Sequence, residues 1–218
     1  DATKLLTVAN QLAIGGATDL QSAVTGLSGI MNAFGVAAEN AGDVSDALFI
    51  AMKAGQTTVG ELTSSVGQVS AIASAAGLSF EEMLGAVSAV TGQGIATTSA
   101  VTGLKAAISN ILKPTKEASE LSESLGIQFN FAGLKSKGLT GFMVDMIEKT
   151  GGSEEAIVEL FGSVEAMNTV MALAVDGGSK FNEIMDDMDD KAGATKTAFE
   201  IMAGTIEQRM AVVKGSLS

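Results

Sequence analysis

Residues 20–49, LQSAVTGLSGIMNAFGVAAENAGDVSDALF, and residues 62–91, LTSSVGQVSAIASAAGLSFEEMLGAVSAVT, carry one pattern twice, offset by 42 residues. The first copy places Leu20, Val24, Leu27, Met31 and Phe34 at i, i+4, i+7, i+11 and i+14, with Gly35 directly after. The second places Leu62, Val66, Val69, Ala73 and Ala76 on the same spacing, followed by Gly77. Such spacing draws one apolar stripe down a helix, and a glycine straight after it is a left-handed helix stop. Past the glycines the copies stay in register: Val36, Glu39, Ala47 and Leu48 answer Leu78, Glu81, Ala89 and Val90. Each unit therefore predicts a helix, a tight turn and a second helix. A third start, Leu104, Ile108 and Ile111, falls on the same period before Pro114 interrupts it. Repeats of this length predict stacked helical pairs, and scaffolding before catalysis.

Working outward, an opening helix is expected from about Thr3 to Ala13, stopped by Gly15 and Gly16, with Thr18 or Asp19 capping the first repeat helix. Its partner is expected from near Asp43 to Ala54, ended by Gly55. Thr58 with Glu61 and Ser79 with Glu82 have the spacing of capping boxes, in which each side chain satisfies the other residue's orphan N–H. A helix over 97–112 should end before Pro114, which suits the first turn of the next helix, over 115–125. Between Gly126 and Gly138, Ile127, Phe129 and Phe131 alternate with polar residues; with no second strand in view this reads as an extended connector pinning its Phe side chains on the bundle. Further helices follow near 139–150, 153–161, 163–175 and 179–188. A last helix starts at about Ala194 and bears Phe199, Met202, Ile206, Met210 and Val213 in a heptad-like stripe that predicts continuation as a coiled coil. The expected fold is thus an all-α, multi-helix bundle of repeated helix-turn-helix units. Its expected parts are a repeated region over 1–113, a second helical region over 114–193 with the connector near 126–138, and the start of a long helix over 194–218.

The 218 residues are 46% hydrophobic, enough to bury a core, yet glycine reaches 26 and aromatic residues only 4%, with neither Trp nor Tyr. Nine Phe and eleven Met with the aliphatic residues predict a thin, soft core. Histidine and cysteine are both missing, which removes the commonest general base, most zinc sites, thiol nucleophiles and disulfides. The apolar stretch over 156–175 carries Glu159 and Glu165, so no membrane span is expected. Opening on Asp1 without a leader, the chain reads as a piece of a longer protein. A net charge of −12 with Arg209 as the single arginine disfavours stable nucleic-acid binding. Only three of the 13 bases lie before residue 113, so Ser, Thr, Gly, Ala and Gln must clothe the first half, a surface suited to packing among other subunits.

Four groups invite a chemical reading, and each has a plainer one. Asp186, Asp187, Asp189 and Asp190 lack the alternating ligands and the glycine of a calcium loop, and read as a solvated helix end. Gly92, Gln93 and Gly94 follow a helix and lack the lysine of a phosphate cradle, so they read as a helix–helix turn. Glu81 with Glu82 and Glu154 with Glu155 sit in first turns, where carboxylates favour the helix dipole and neighbouring side chains diverge by about 100°. Met143 with Met146 and Met167 with Met171 read as core. No catalytic, cofactor-binding or metal-binding residue is expected, and no cofactor.

Taken in order, Gly15-Gly16-Ala17, Met31-Asn32-Ala33-Phe34-Gly35, Ala54-Gly55-Gln56-Thr57-Thr58, Ala76-Gly77-Leu78-Ser79-Phe80-Glu81-Glu82, Gly92-Gln93-Gly94-Ile95, the run from Leu104 to Pro114, Leu125-Gly126-Ile127 and Phe161-Gly162 resemble the core region of phage tail tape measure proteins. The resemblance implies a structural virion protein without catalytic residues in this region, part of a much longer chain. It implies self-association as a trimer or hexamer, tail tube protein polymerising around the chain, tail assembly chaperones, and contacts with distal tail or baseplate proteins. It further implies residence in the virion tail lumen after assembly in the host cytoplasm, exit from the tube at DNA ejection, and membrane contact only then. The alternative from the residues is a helical interaction module, such as a membrane-associated translocator-like protein. That reading predicts lipid-induced helicity, against which stand the low basic content and the lack of Trp and Tyr.

Overall fold

A computed structural model describes the backbone of residues 2–216 and the side chains of residues 2–205. Among the described residues thirteen α-helices follow one another: α1 Ala2–Gly15, α2 Leu20–Phe34, α3 Ala41–Ala54, α4 Val59–Ser65, α5 Gly67–Ala75, α6 Phe80–Thr91, α7 Thr97–Leu112, α8 Lys116–Ser124, α9 Phe131–Lys149, α10 Glu154–Phe161, α11 Val164–Ala174, α12 Ser179–Asp189 and α13 Ala194–Ser216. No strand occurs among the described residues, so the fold is the all-α bundle that the periodicity predicts.

The duplicated pattern is a duplicated structure in which like packs on like. α2 lies on α4 and α5, α3 lies on α6, and α7, the third start, continues the stack on α4 and α5. Gly35 and Gly77 adopt φ of 66° and 76°, the left-handed turn that the glycine after each stripe implies. Asp19, Thr58 and Ser79 cap their helices through side-chain oxygens, and both capping boxes are complete. Where the second copy has Ser79, the first has Ala37, which offers no oxygen. Its second helix accordingly begins with a 3-10 turn, Ala38–Asn40, before the α-helix takes over.

Four local expectations need correction. Leu20 is 44% exposed, because α2 turns Ala23, Gly26, Leu27, Ile30 and Met31 inward instead. The second stripe does not lie on one straight helix. It breaks at Val66 between α4 and α5, where the Thr63 hydroxyl bonds back to Val59 O, the Ser70 hydroxyl bonds back to Val66 O, and Gly67 follows; such back-bonding bends helices. Leu62, Val66, Val69, Ala73 and Ala76 are buried all the same. Pro114 stands before the cap Thr115, outside α8, and leaves Lys113 in a non-helical conformation. The extended connector is short: Ile127 and Phe129 are buried within it, but Asn130 caps a helix that begins at Phe131 and changes direction at Gly138. Of the heptad-like stripe, Phe199 is half-buried and Met202 exposed, while Ile206, Met210 and Val213 lie outside the described side chains.

The second half closes on the first through α11, which packs along α7 and also meets α6, α9 and α10. Phe129 fills the space between Phe161 at 5.1 Å, edge-on, and Phe142 at 5.9 Å between ring centroids. α12 then covers α6, and α13 returns to the start of the chain, against α1 and α3. One continuous set of buried side chains runs from Ala9 to Met188. No single helix among the described residues is long and apolar enough to cross a membrane. One pair, Glu154–Phe161 with Val164–Asp189, has the length and composition but is bent by 113°, and its Ile157, Leu160, Phe161, Val170 and Leu173 lie in the core.

Candidate functional site

The strongest polar construction in the fold holds the foot of α13. α3 has an inward face of Val44, Ala47, Leu48 and Ala51, and Asp46 is buried beside it. Its two carboxylate oxygens accept from the backbone N–H of Gly193 at 2.7 Å and of Thr195 at 2.9 Å, 147 and 149 residues away. A helix begins with N–H groups that have no partner inside it, and a carboxylate there satisfies them and favours the dipole. Here the cap comes from another helix instead of from the local sequence. Next to it the Ser45 hydroxyl donates to Thr195 Oγ1 at 3.0 Å, both residues buried. On the α6 side, Lys191 Nζ stands 3.2 Å from Glu81 Oε1 and 6.0 Å from the centre of the Phe80 ring. The segment between α12 and α13 is therefore clasped by both second helices of the repeat.

Two further junctions tie the stack. Glu61 accepts from Thr58 N, Thr57 Oγ1 and Thr97 Oγ1, each at 3.2 Å, joining the start of α4 to the start of α7. Gln93 reaches from the turn after α6 to donate to Ala172 O on α11 at 2.7 Å.

The residues weighed from sequence fall elsewhere. Asp186, Asp187, Asp189 and Asp190 are all exposed at the far end of α12, and no group of three or more acidic residues converges among the described residues. Gly92, Gln93 and Gly94 form the turn between α6 and α7, with Gly94 at φ 87°. Glu81 and Glu82 diverge, the first to Lys191 and the second to the Ser79 N–H. Glu154 and Glu155 are exposed in the first turn of α10. Met143 and Met146 are fully buried, and Met167 and Met171 pack on the core from partly covered positions. The clasp residues Asp46, Ser45 and Thr195 carried no local signal. The only trace was an aspartate next to the apolar stripe of α3, far along the chain from the helix it caps. Every carboxylate of these junctions is engaged by a backbone N–H, a threonine or a lysine, so the arrangement joins helices.

The sequence pattern of the family described as phage-related minor tail protein matches residues 1–162. The chain is 26% identical over 222 aligned residues to the probable tape measure protein of Clostridium phage phiCD119, covering 99% of this chain and 24% of that protein. It is 25% identical over 203 residues to the tape measure protein of Pneumococcus phage Dp-1, covering 91% of this chain and 18% of that protein. The chain thus spans about a quarter or less of the curated relatives it matches. No solved structure matches it.

Proposed function

Because the chain belongs to the phage-related minor tail protein family, we propose that it is a segment of a tape measure protein, a structural component of the tail. One observation carries this reading: nearly the whole chain aligns with a probable tape measure protein. In this role the parent chain templates tail tube polymerisation, limits its length, and leaves the tube when DNA is ejected. The partners are further copies of itself, as a trimer or hexamer, tail tube protein, assembly chaperones and distal tail or baseplate proteins. The segment resides in the tail lumen after assembly in the host cytoplasm, and no catalytic step is assigned to it.

The physical support is twofold. A helix advances about 1.5 Å per residue, which converts chain length linearly into tube length. The acidic charge and single arginine of this segment disfavour a hold on passing DNA. The bundle is more compact than a straight ruler, since its helices run from 7 to 23 residues and fold back on each other. We therefore take the bundle as the form of the free or chaperoned chain, which opens or repacks as the tube closes around it. The test is an in-frame deletion of one helical pair from the parent gene, with tail length measured by electron microscopy. Tails should shorten in proportion to the residues removed; tails of unchanged length would overturn the ruler role of this segment.

A further inference from the structure

Over its described side chains α13 is held by little apolar burial. Of its residues 194–205 only Thr195 is fully buried; Ala194, Ala198 and Phe199 are half-covered, and Ile201 and Met202 are 66% and 40% exposed. α12, directly before it, is seated differently: Phe181, Ile184 and Met188 are buried, and the first two close over Gly85 of α6. Between α3 and α13 a groove of about 480 Å³ remains, lined by Phe49, Ile50, Met52, Ala194 and Ile201, so side chains do not seal that face. α13 lies along α1 and meets α3, and its polar fixings are concentrated at one end: Asp46 on the N–H groups of Gly193 and Thr195, and Ser45 on Thr195. Between α12 and α13 stands Gly193 at φ 81°, and glycine takes either sign of φ at little cost, so the chain can redirect there. Segments with few buried apolar contacts open at lower free energy than the body they rest on.

We propose that α13 is a detachable arm that pivots at Gly193 and leaves α1 and α3 as one unit, with the Asp46 carboxylate as its catch, while α12 stays on α6. The proposal goes beyond the tail reading and does not depend on it. Closed, the arm extends the bundle by one half-covered layer. Released, it frees a helix to project from the bundle and uncovers the α1 surface around Gly15, whose added Cβ would stand 3.2 Å from that of Ala198. The body keeps contacts of its own, since α1 also packs on α2 and α3.

Hydrogen exchange on the 218-residue chain tests this. Amides 198–205 should exchange together and at least tenfold faster than those in the middle of α7. Asp46→Ala should raise their exchange by about tenfold, the factor of one lost cap, and leave α7 unchanged. A second measurement does not rely on that variant. The chain has no cysteine, so Gly15→Cys with Ala198→Cys gives one defined pair, its Cβ atoms 3.2 Å apart, and a few tenths of an ångström of give between the helices brings them into disulfide range. Oxidation should slow exchange over 198–205 by at least tenfold, and reduction should restore it. Exchange over 198–205 as slow as in α7, Asp46→Ala acting evenly along the chain, or oxidation leaving 198–205 unchanged would each overturn the arm.

Discussion

Gly103 of α7 faces Thr169 of α11 with no space for one added carbon: a Cβ on Gly103 would overlap the Thr169 hydroxyl and the carbonyl of Glu165. The contact lies where α11, from the second half of the chain, packs along α7, from the first. The hydroxyl can turn aside, but the carbonyl belongs to a helix backbone and cannot, so the helices must separate to admit a methyl group. A glycine inside a helix is itself unfavourable by roughly 0.5–1 kcal/mol relative to alanine, and close approach is what that loss supports here.

Gly103→Ala is accordingly expected to destabilise the protein by about 1–3 kcal/mol, the range for overpacking a filled interior. Gly29, in the interior of α2, would meet nothing within 4 Å. Gly29→Ala should therefore stabilise by roughly 0.5–1 kcal/mol through helix propensity alone. Chemical denaturation of both variants checks the pair, and a Gly103→Ala as stable as the wild type or more so would show that the α7–α11 crossing is looser than described.

The connector offers a second contrast. Ile127, Phe129 and Phe131 look equivalent in sequence, yet Phe129 is buried between Phe142 and Phe161 whereas Phe131 is 41% exposed. Phe129→Ala should cost about 3–5 kcal/mol, as for other buried aromatic truncations. Phe131 only lies over the Gly77 turn, 3.6 Å from the position a Cβ would take there, and Phe131→Ala should stay within about 1 kcal/mol of wild type. Equal losses at both positions would favour the strand-like reading, in which all three side chains point inward.

These cases mark what the sequence discloses. Helix starts at Thr58 and Ser79 are legible because a capping box is a relation over three residues, whereas the sequence leaves Thr18 and Asp19 as alternatives and the structure selects Asp19. The start at Asn130 was hidden, since the two phenylalanines around it imposed a period of two on a stretch where a loop meets a helix. The break at Val66 was hidden too, because the apolar stripe continues through it unbroken. The clasp at Asp46 lies beyond any local pattern: its partners are backbone N–H groups, which every residue but proline possesses, so nothing at Gly193 or Thr195 marks them as the other half.

The cap of α2 also fixes a pH dependence. The Ser22 hydroxyl, at 2.6 Å, and the Ser22 backbone N–H, at 2.8 Å, donate to the Asp19 carboxylate and hold its pKa below the ordinary 3.8. A carboxyl that binds its proton less readily in the folded state than in the unfolded one adds stability above the unfolded value, and that contribution is lost as pH falls through the folded value. The start of α2 should therefore stay ordered at pH 5 and fray only in strong acid. NMR titration of the Asp19 carboxyl carbon should give a midpoint below 3.8 in the wild type. Asp19→Asn keeps an accepting oxygen and should remove this acid dependence while preserving the helix start, whereas Asp19→Ala should fray it at every pH. A midpoint at or above the ordinary value would mean that Ser22 does not hold the carboxylate in solution, and the first repeat would then begin without its cap.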